Sequence, residues 1–207
     1  MGDCTLGRDA RIKLSIGTKK HGNADGLFNG PSGLAFDHRR GLLLVVDSGN
    51  HRVQVFSCDG DEGLFVSKFG EQGHQPGQLQ YPWDLAIDHD HDRIFITDRL
   101  NSRVQSWSLS EQSFLSCIGR FGSGDGEFYN PQGVAIDKHH RRIVIGDTLN
   151  NRLVFLSSID LLLLFSVGGI QGSQPGEFHY PSRATIDDDR HRIIVADTEN
   201  HRVQVLS

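Results

Sequence analysis

The chain has little of what most catalytic, secreted and membrane classes need. Cysteine occurs three times, at Cys4, Cys58 and Cys117, with no metal-ligand spacing. An odd count without a framework fits a reducing compartment. There are 21 Lys and Arg against 26 Asp and Glu, a formal net charge of -5. The chain therefore lacks the overall basic excess of a typical nucleic-acid binder, although a local patch is compatible with that balance. Met1 to Ala10 has no apolar signal-peptide core, and Leu6 stands where the myristoylation pattern needs Ser or Thr. The apolar stretch Leu161-Leu-Leu-Leu-Phe165 is far short of the ~20 residues that span a bilayer. No Gly-x-Ser-x-Gly elbow, phosphate loop or His-Glu-x-x-His is present. The expectation is a cytoplasmic protein without a membrane span, cofactor or catalytic motif.

What the chain has is a segment written four times. Asp47-Ser-Gly-Asn50-His-Arg52 returns as Asp98-Arg-Leu-Asn101-Ser-Arg103, Asp147-Thr-Leu-Asn150-Asn-Arg152 and Asp197-Thr-Glu-Asn200-His-Arg202. A second anchor keeps step, from Pro31-Ser-Gly-Leu-Ala-Phe-Asp37 through Pro82 to Asp88 and Pro131 to Asp137, ending with Pro181 to Asp187. A fixed period of this size marks a repeat architecture. Within one repeat, Leu34–Phe36 follows a turn signal, and Leu42–Val46 is continuously apolar. Val53–Phe56 alternates, and Leu64–Phe69 follows another turn. Four short antiparallel strands and a long Gly-rich connection make a β-propeller blade, so the fold class is all-β with about four blades. The repeats run over about 31–70, 82–122, 131–168 and 181–207, after an N-terminal tail over 1–11. The last repeat stops after its third strand, while Ile12–Ile16 reads as a spare outer strand. That strand could complete the last blade and close a ring of four. Alternatively, the four repeats belong to a larger ring or complete one as a homo-oligomer.

Laid out in this way, the chain resembles the NHL-repeat family, and in particular the NHL domain of TRIM-NHL type ubiquitin ligases. The resemblance rests on Gly-x-Phe-x-x-Pro before the inner strand, as in Gly126 to Pro131 and Gly176 to Pro181. It also rests on Pro-x-Gly-hydrophobic-Ala-hydrophobic-Asp along that strand, and on Asp-x-x-Asn-x-Arg-hydrophobic-Gln after the second strand. It implies a propeller, often six-bladed in the family, that recognises protein substrates or RNA. Other members are extracellular sensor domains of kinases or a peptide-amidating lyase. The chain has no Cys/His zinc module of its own, so a ubiquitin-ligase activity would have to be supplied elsewhere. Fold-level likeness does not transfer function.

Residues common to every repeat are read as framework: the turn aspartates, asparagines and arginines, and the inner-strand Asp37, Asp88, Asp137 and Asp187. His38, His89, His91, His139, His140 and His191 lie in equivalent hairpin turns of separate repeats. A metal site needs ligands converging on one point, so these are expected apart around a disc, with no metal site. Binding specificity is sought where the repeat breaks. The inner strands differ at Trp83, Asp84, Gln132 and Arg183, and the adjoining loops carry Tyr81, Tyr129 and Tyr180. These should ring the channel mouth with an acid, a base and aromatics, residue types among which Trp, Tyr and Arg recur in binding hot spots. The alternative is that Asp84 and Arg183 form a local ion pair and Trp83 packs between blades. The leading function is a non-catalytic module binding a protein or peptide, with substrate recognition for ubiquitination as one form of it. RNA binding and a metal-dependent lyase or lactone hydrolase are the alternatives.

Overall fold

The computed structural model describes residues 15–58 and 62–207. Blade 1 contains β1 (Pro31–Asp37), β2 (Leu42–Asp47), β3 (Arg52–Ser57) and β4 (Leu64–Phe69). Blade 2 contains β5 (Pro82–Asp88), β6 (Arg93–Asp98), β7 (Arg103–Ser108) and β8 (Phe114–Ile118). Blade 3 contains β9 (Pro131–Asp137), β10 (Arg142–Asp147), β11 (Arg152–Ser157) and β12 (Leu163–Gly168). Blade 4 contains β13 (Pro181–Asp187), β14 (Arg192–Asp197) and β15 (Arg202–Leu206). Each sheet is an antiparallel meander in chain order, four-stranded in blades 1 to 3 and, among the described residues, three-stranded in blade 4. This is the β-propeller architecture expected from the repeat. Residues 12–14 of the anticipated N-terminal outer strand, and the tail over 1–11, lie outside the described residues.

The blades stand side by side through their inner strands. β1 packs on β5, β5 on β9 and β9 on β13, while β13 and β1 share no such packing among the described residues. Apolar clusters fill each junction. Leu44, Val53 and Val55 of blade 1 meet Leu85, Ile87, Ile94 and Ile96 of blade 2. Phe95 and Val104 meet Val134, Ile143 and Ile145, and Val144, Leu153 and Phe155 meet Ile193 and Val195. Trp107 is buried against Phe69 and Phe114. In blades 2 and 3, two-sided burial explains why the second strands read as apolar runs rather than alternating patterns.

The four-fold turn is a buried polar knot. Asp98 is fully buried, and one of its oxygens accepts from the Gln80 amide at 2.6 Å. Its other oxygen accepts from Asn101, Arg103 and Gln105 at 2.7–2.9 Å. The Arg103 guanidinium also donates to the carbonyls of His74, Gln75 and Gln78. One carboxylate thus ties a turn, a strand and the connector from the preceding blade. Asp47 and Asp197 repeat the pattern. Asp147 does so without the glutamine, because Val154 replaces it. The left-handed residue in each turn follows the asparagine: His51, Ser102, Asn151 and His201 have φ of 51–57°. The asparagine contributes its side-chain amide rather than its backbone tolerance.

Candidate functional site

The knots hold the connectors against the Asp-x-x-Asn turns, so both loop types share one face. The inner strands open onto that face through a register irregularity after the proline, between Pro31 and Leu34, Pro82 and Leu85, and Pro181 and Arg183. β9 is irregular opposite Ile145–Asp147. A bulge re-aims side chains at the end of a strand. The residues that break the repeat, Trp83, Asp84, Gln132 and Arg183, sit at these irregular steps.

The structure divides the sequence-derived candidates into two groups. Along the inner rim, Asp84 lies 3.9 Å from Arg183, and its carboxylate also faces the Val134 amide at 3.4 Å. Asp84 is buried at 8% exposure, so it is the partner of Arg183 rather than an open acid at a mouth. Burial pushes its carboxyl above the ordinary range, and the charge of Arg183 opposes that rise. Trp83 is half-buried, with the Arg99 guanidinium 4.7 Å from its ring centre. The Trp83 and Gln132 carbonyls accept from Ser32 and Thr97, so their backbones stitch neighbouring blades.

The three tyrosines are not brought together. Tyr81 stands edge-on to His51 at 4.5 Å and donates its amide to the His51 ring. Tyr180 lies beside His179, with its amide donating to Asn151. Tyr81 and Tyr180 adopt φ of 48° and 57°, sparsely populated for bulky residues; Gly30 and Asn130 occupy the equivalent places. Tyr129 is exposed and packs against Phe121 at 5.0 Å.

Around Tyr129 lies a cavity of about 220 Å³ lined by Arg99, Leu100, Ser102, Phe121, Tyr129, Asn130 and Leu149. Phe121 is 69% exposed and Leu100 51%. Sequence reasoning missed Arg99, Leu100, Phe121 and Leu149. For Arg99, Leu100 and Leu149 the signal was available, since the two residues after the turn aspartate read Ser-Gly, Arg-Leu, Thr-Leu and Thr-Glu. Treating the whole turn as framework concealed its variable positions.

The histidines of the opposite hairpin turns are not spread evenly, contrary to expectation. His38 and His89 meet at 4.3 Å between blades 1 and 2, and His139 stacks on His191 at 4.0 Å between blades 3 and 4. Adjacent blades bring equivalent turns close enough for ring contact. Among the described residues, no group of three or more His, Cys, Asp or Glu is placed to hold a metal ion.

Comparisons agree with this geometry. The NHL repeat family model matches residues 28–56, 79–106 and 178–206. The chain is 37% identical over 78 residues to Protein brain tumor of Drosophila melanogaster, covering 38% of this chain and 7% of that protein. It is 34% identical over 68 residues to the E3 ubiquitin-protein ligase NHLRC1 of Homo sapiens, covering 33% of this chain and 16% of the relative. The chain thus spans a small part of either relative. Among solved structures, it resembles a chain of a nidogen/laminin complex with a TM-score of 0.64 at 19% identity, covering 85% of this chain and 60% of that one. It also resembles an auxiliary nutrient binding protein from Bacteroides thetaiotaomicron, with a TM-score of 0.62 at 12% identity, covering 84% and 47%. At these identities the structural likeness concerns the fold. No helix among the described residues is long and apolar enough to cross a membrane.

Proposed function

We propose that this chain, a member of the NHL-repeat family, is a non-catalytic module that binds an extended protein segment on the face carrying its connectors and Asp-x-x-Asn turns. The observation that carries this reading is the exposed apolar cluster of Leu100, Phe121 and Tyr129 around the cavity between blades 2 and 3. Large apolar side chains on framework-locked loops bind with little ordering cost, because the buried knots already fix their backbones. Tyr180 and the Trp83–Arg99 pair extend the surface with hot-spot residue types. Recognition of substrates for ubiquitination is one use of such a surface, and the likeness to NHLRC1 supports it.

RNA binding is the second reading, supported by the place of Arg99 over Trp83 and the exposed Arg183. The net charge of -5 weighs against it. A pool of random-sequence peptides and a pool of random single-stranded RNA, each passed over the immobilised chain, separate the two. The peptide reading expects salt-tolerant retention of peptides that is lost in a Leu100→Asp/Phe121→Asp variant. Retention of RNA alone, falling steeply with salt, contradicts it.

A further inference from the structure

The cavity between blades 2 and 3 has mostly apolar walls, but two polar side chains on them are unpaired. Leu100, Phe121, Tyr129 and Leu149 line it together with Arg99 and Asn130. The turn arginines Arg52, Arg103, Arg152 and Arg202 each meet an aspartate at 2.7–2.8 Å. Arg99 is half-buried, and its guanidinium has no such anion and no hydrogen bond among the described residues. Its Nε is buried without a partner. The Trp83 ring, 4.7 Å away, attracts the cation without neutralising it. The Asn130 Oδ1 is likewise buried and unpartnered. At the equivalent steps of other connectors, the Tyr81 amide donates to the His51 ring and the Tyr180 amide to Asn151. Ser102 is the left-handed residue in that place before Asn130. Among the described residues, the Asn130 amide donates to nothing. Buried donors and acceptors are costly unless something answers them. A bridging water takes only about 30 Å³, whereas the cavity has about 220 Å³.

We propose that this cavity recognises a peptide segment in which an aliphatic or aromatic side chain stands next to an aspartate or glutamate. The apolar side chain enters among Leu100, Phe121, Tyr129 and Leu149. The carboxylate pairs with Arg99, and Asn130 bonds the peptide backbone between the two, its amide and Oδ1 matching one carbonyl and one N–H. The inference rests on the peptide-binding reading above and adds to it the charge that the partner carries. Neither polar side chain is tied by a bond in the free chain, so each can turn toward the ligand. No acidic side chain lines the cavity, so a carboxylate entering it meets a cation and no like charge on its walls. The same walls argue against a nucleic acid. Arg99 is the one cation on them, too few for a run of phosphates, and the net charge of -5 opposes a polyanion. A single carboxylate needs a single guanidinium.

A random-peptide library, displayed with both ends joined to carrier sequence and selected on the immobilised 207-residue chain, tests this. Selected peptides should carry an aspartate or glutamate beside a leucine, isoleucine or aromatic residue. One such peptide is then made as its terminal amide, so that the carboxylate in question belongs to a side chain. Exchanging that acid for the corresponding amide should weaken binding on the order of tenfold, the usual worth of one charge-assisted hydrogen bond. Arg99→Gln should weaken the acidic peptide by the same factor and leave the exchanged peptide unaffected, as a direct pair requires. Asn130→Gly keeps the left-handed backbone that Gly30 adopts in the equivalent place, and should weaken both peptides alike. Selected peptides without an acid, or an Arg99→Gln chain that selects the same acidic motif, overturn the proposal and leave peptide binding standing. Selection of no peptide, or retention only of single-stranded RNA that Arg99→Gln abolishes, overturns both. If Arg99→Gln misfolds, Arg99→Met takes its place in the same cycle.

Discussion

The carboxylate of Asp84 on β5 reaches to 3.9 Å from the guanidinium of Arg183 on β13, past β9, which lies between the two strands. Gly133 makes the approach possible. A Cβ there would lie 2.6 Å from the Ser182 carbonyl oxygen and 2.7 Å from the Arg183 Cα. The pair couples three inner strands at the edge of the proposed binding face.

Arg183→Ala should raise the Asp84 titration further, since it removes the charge that counters burial. A group held above its unfolded pKa contributes stability at pH below the unfolded value and loses it as pH rises through the folded value. The variant should therefore be less stable near neutrality than in acid, relative to wild type. Carbon-detected NMR titration of the aspartate carboxyls and unfolding at two pH values check this.

Asp98→Ala should be severely destabilising, by about 3–5 kcal/mol, because it leaves buried Arg103 without its anion. Asn101 and Gln105 lose the same acceptor. Denaturant unfolding measures the loss. A cost near that of an exposed ion pair would contradict the framework role given to the knot.

Tyr180→Gly should raise stability by about 1–2 kcal/mol, the usual cost of a left-handed conformation for a residue with a Cβ, less the contact with His179. Binding should weaken in the same variant. A stabilised chain with weaker peptide binding would identify Tyr180 as a strained residue kept for its surface. Thermal unfolding and peptide titration on one sample supply both readings.

Acidification should loosen the junction between blades 1 and 2. Burial lowers the titration of His89, although Asp37 at 3.1 Å opposes that shift. A depressed imidazole contributes stability above its unfolded pKa, about 6.5, and loses it as pH falls through the folded value. His89→Gln should flatten this part of the stability profile between neutral and mildly acidic pH.

The fold was legible because each repeat repeats its reasons. The aspartate of every turn finds the same asparagine and arginine donors, and the apolar runs of β6 and β10 are buried on both sides. The site was less legible because its residues meet across blades. Asp84 and Arg183 are ninety-nine positions apart, and Tyr129 gains its meaning from Phe121, Leu100 and Leu149 on two turns and a connector. The variable positions Arg99 and Leu100 sit inside a motif whose other members are framework, which hid them. The histidine contacts were misjudged for a related reason, since spacing along the chain says nothing of how closely neighbouring blades bring equivalent turns.

Amide chemical-shift mapping of the isotope-labelled chain, titrated with a peptide selected on it by display, tests the central claim most directly. The account predicts shifts centred on Arg99 to Ser102, Phe121, Tyr129, Asn130 and Leu149, and their loss in the Leu100→Asp/Phe121→Asp variant. Shifts centred instead on the opposite hairpin turns, around His38, His89 and His139, would contradict it.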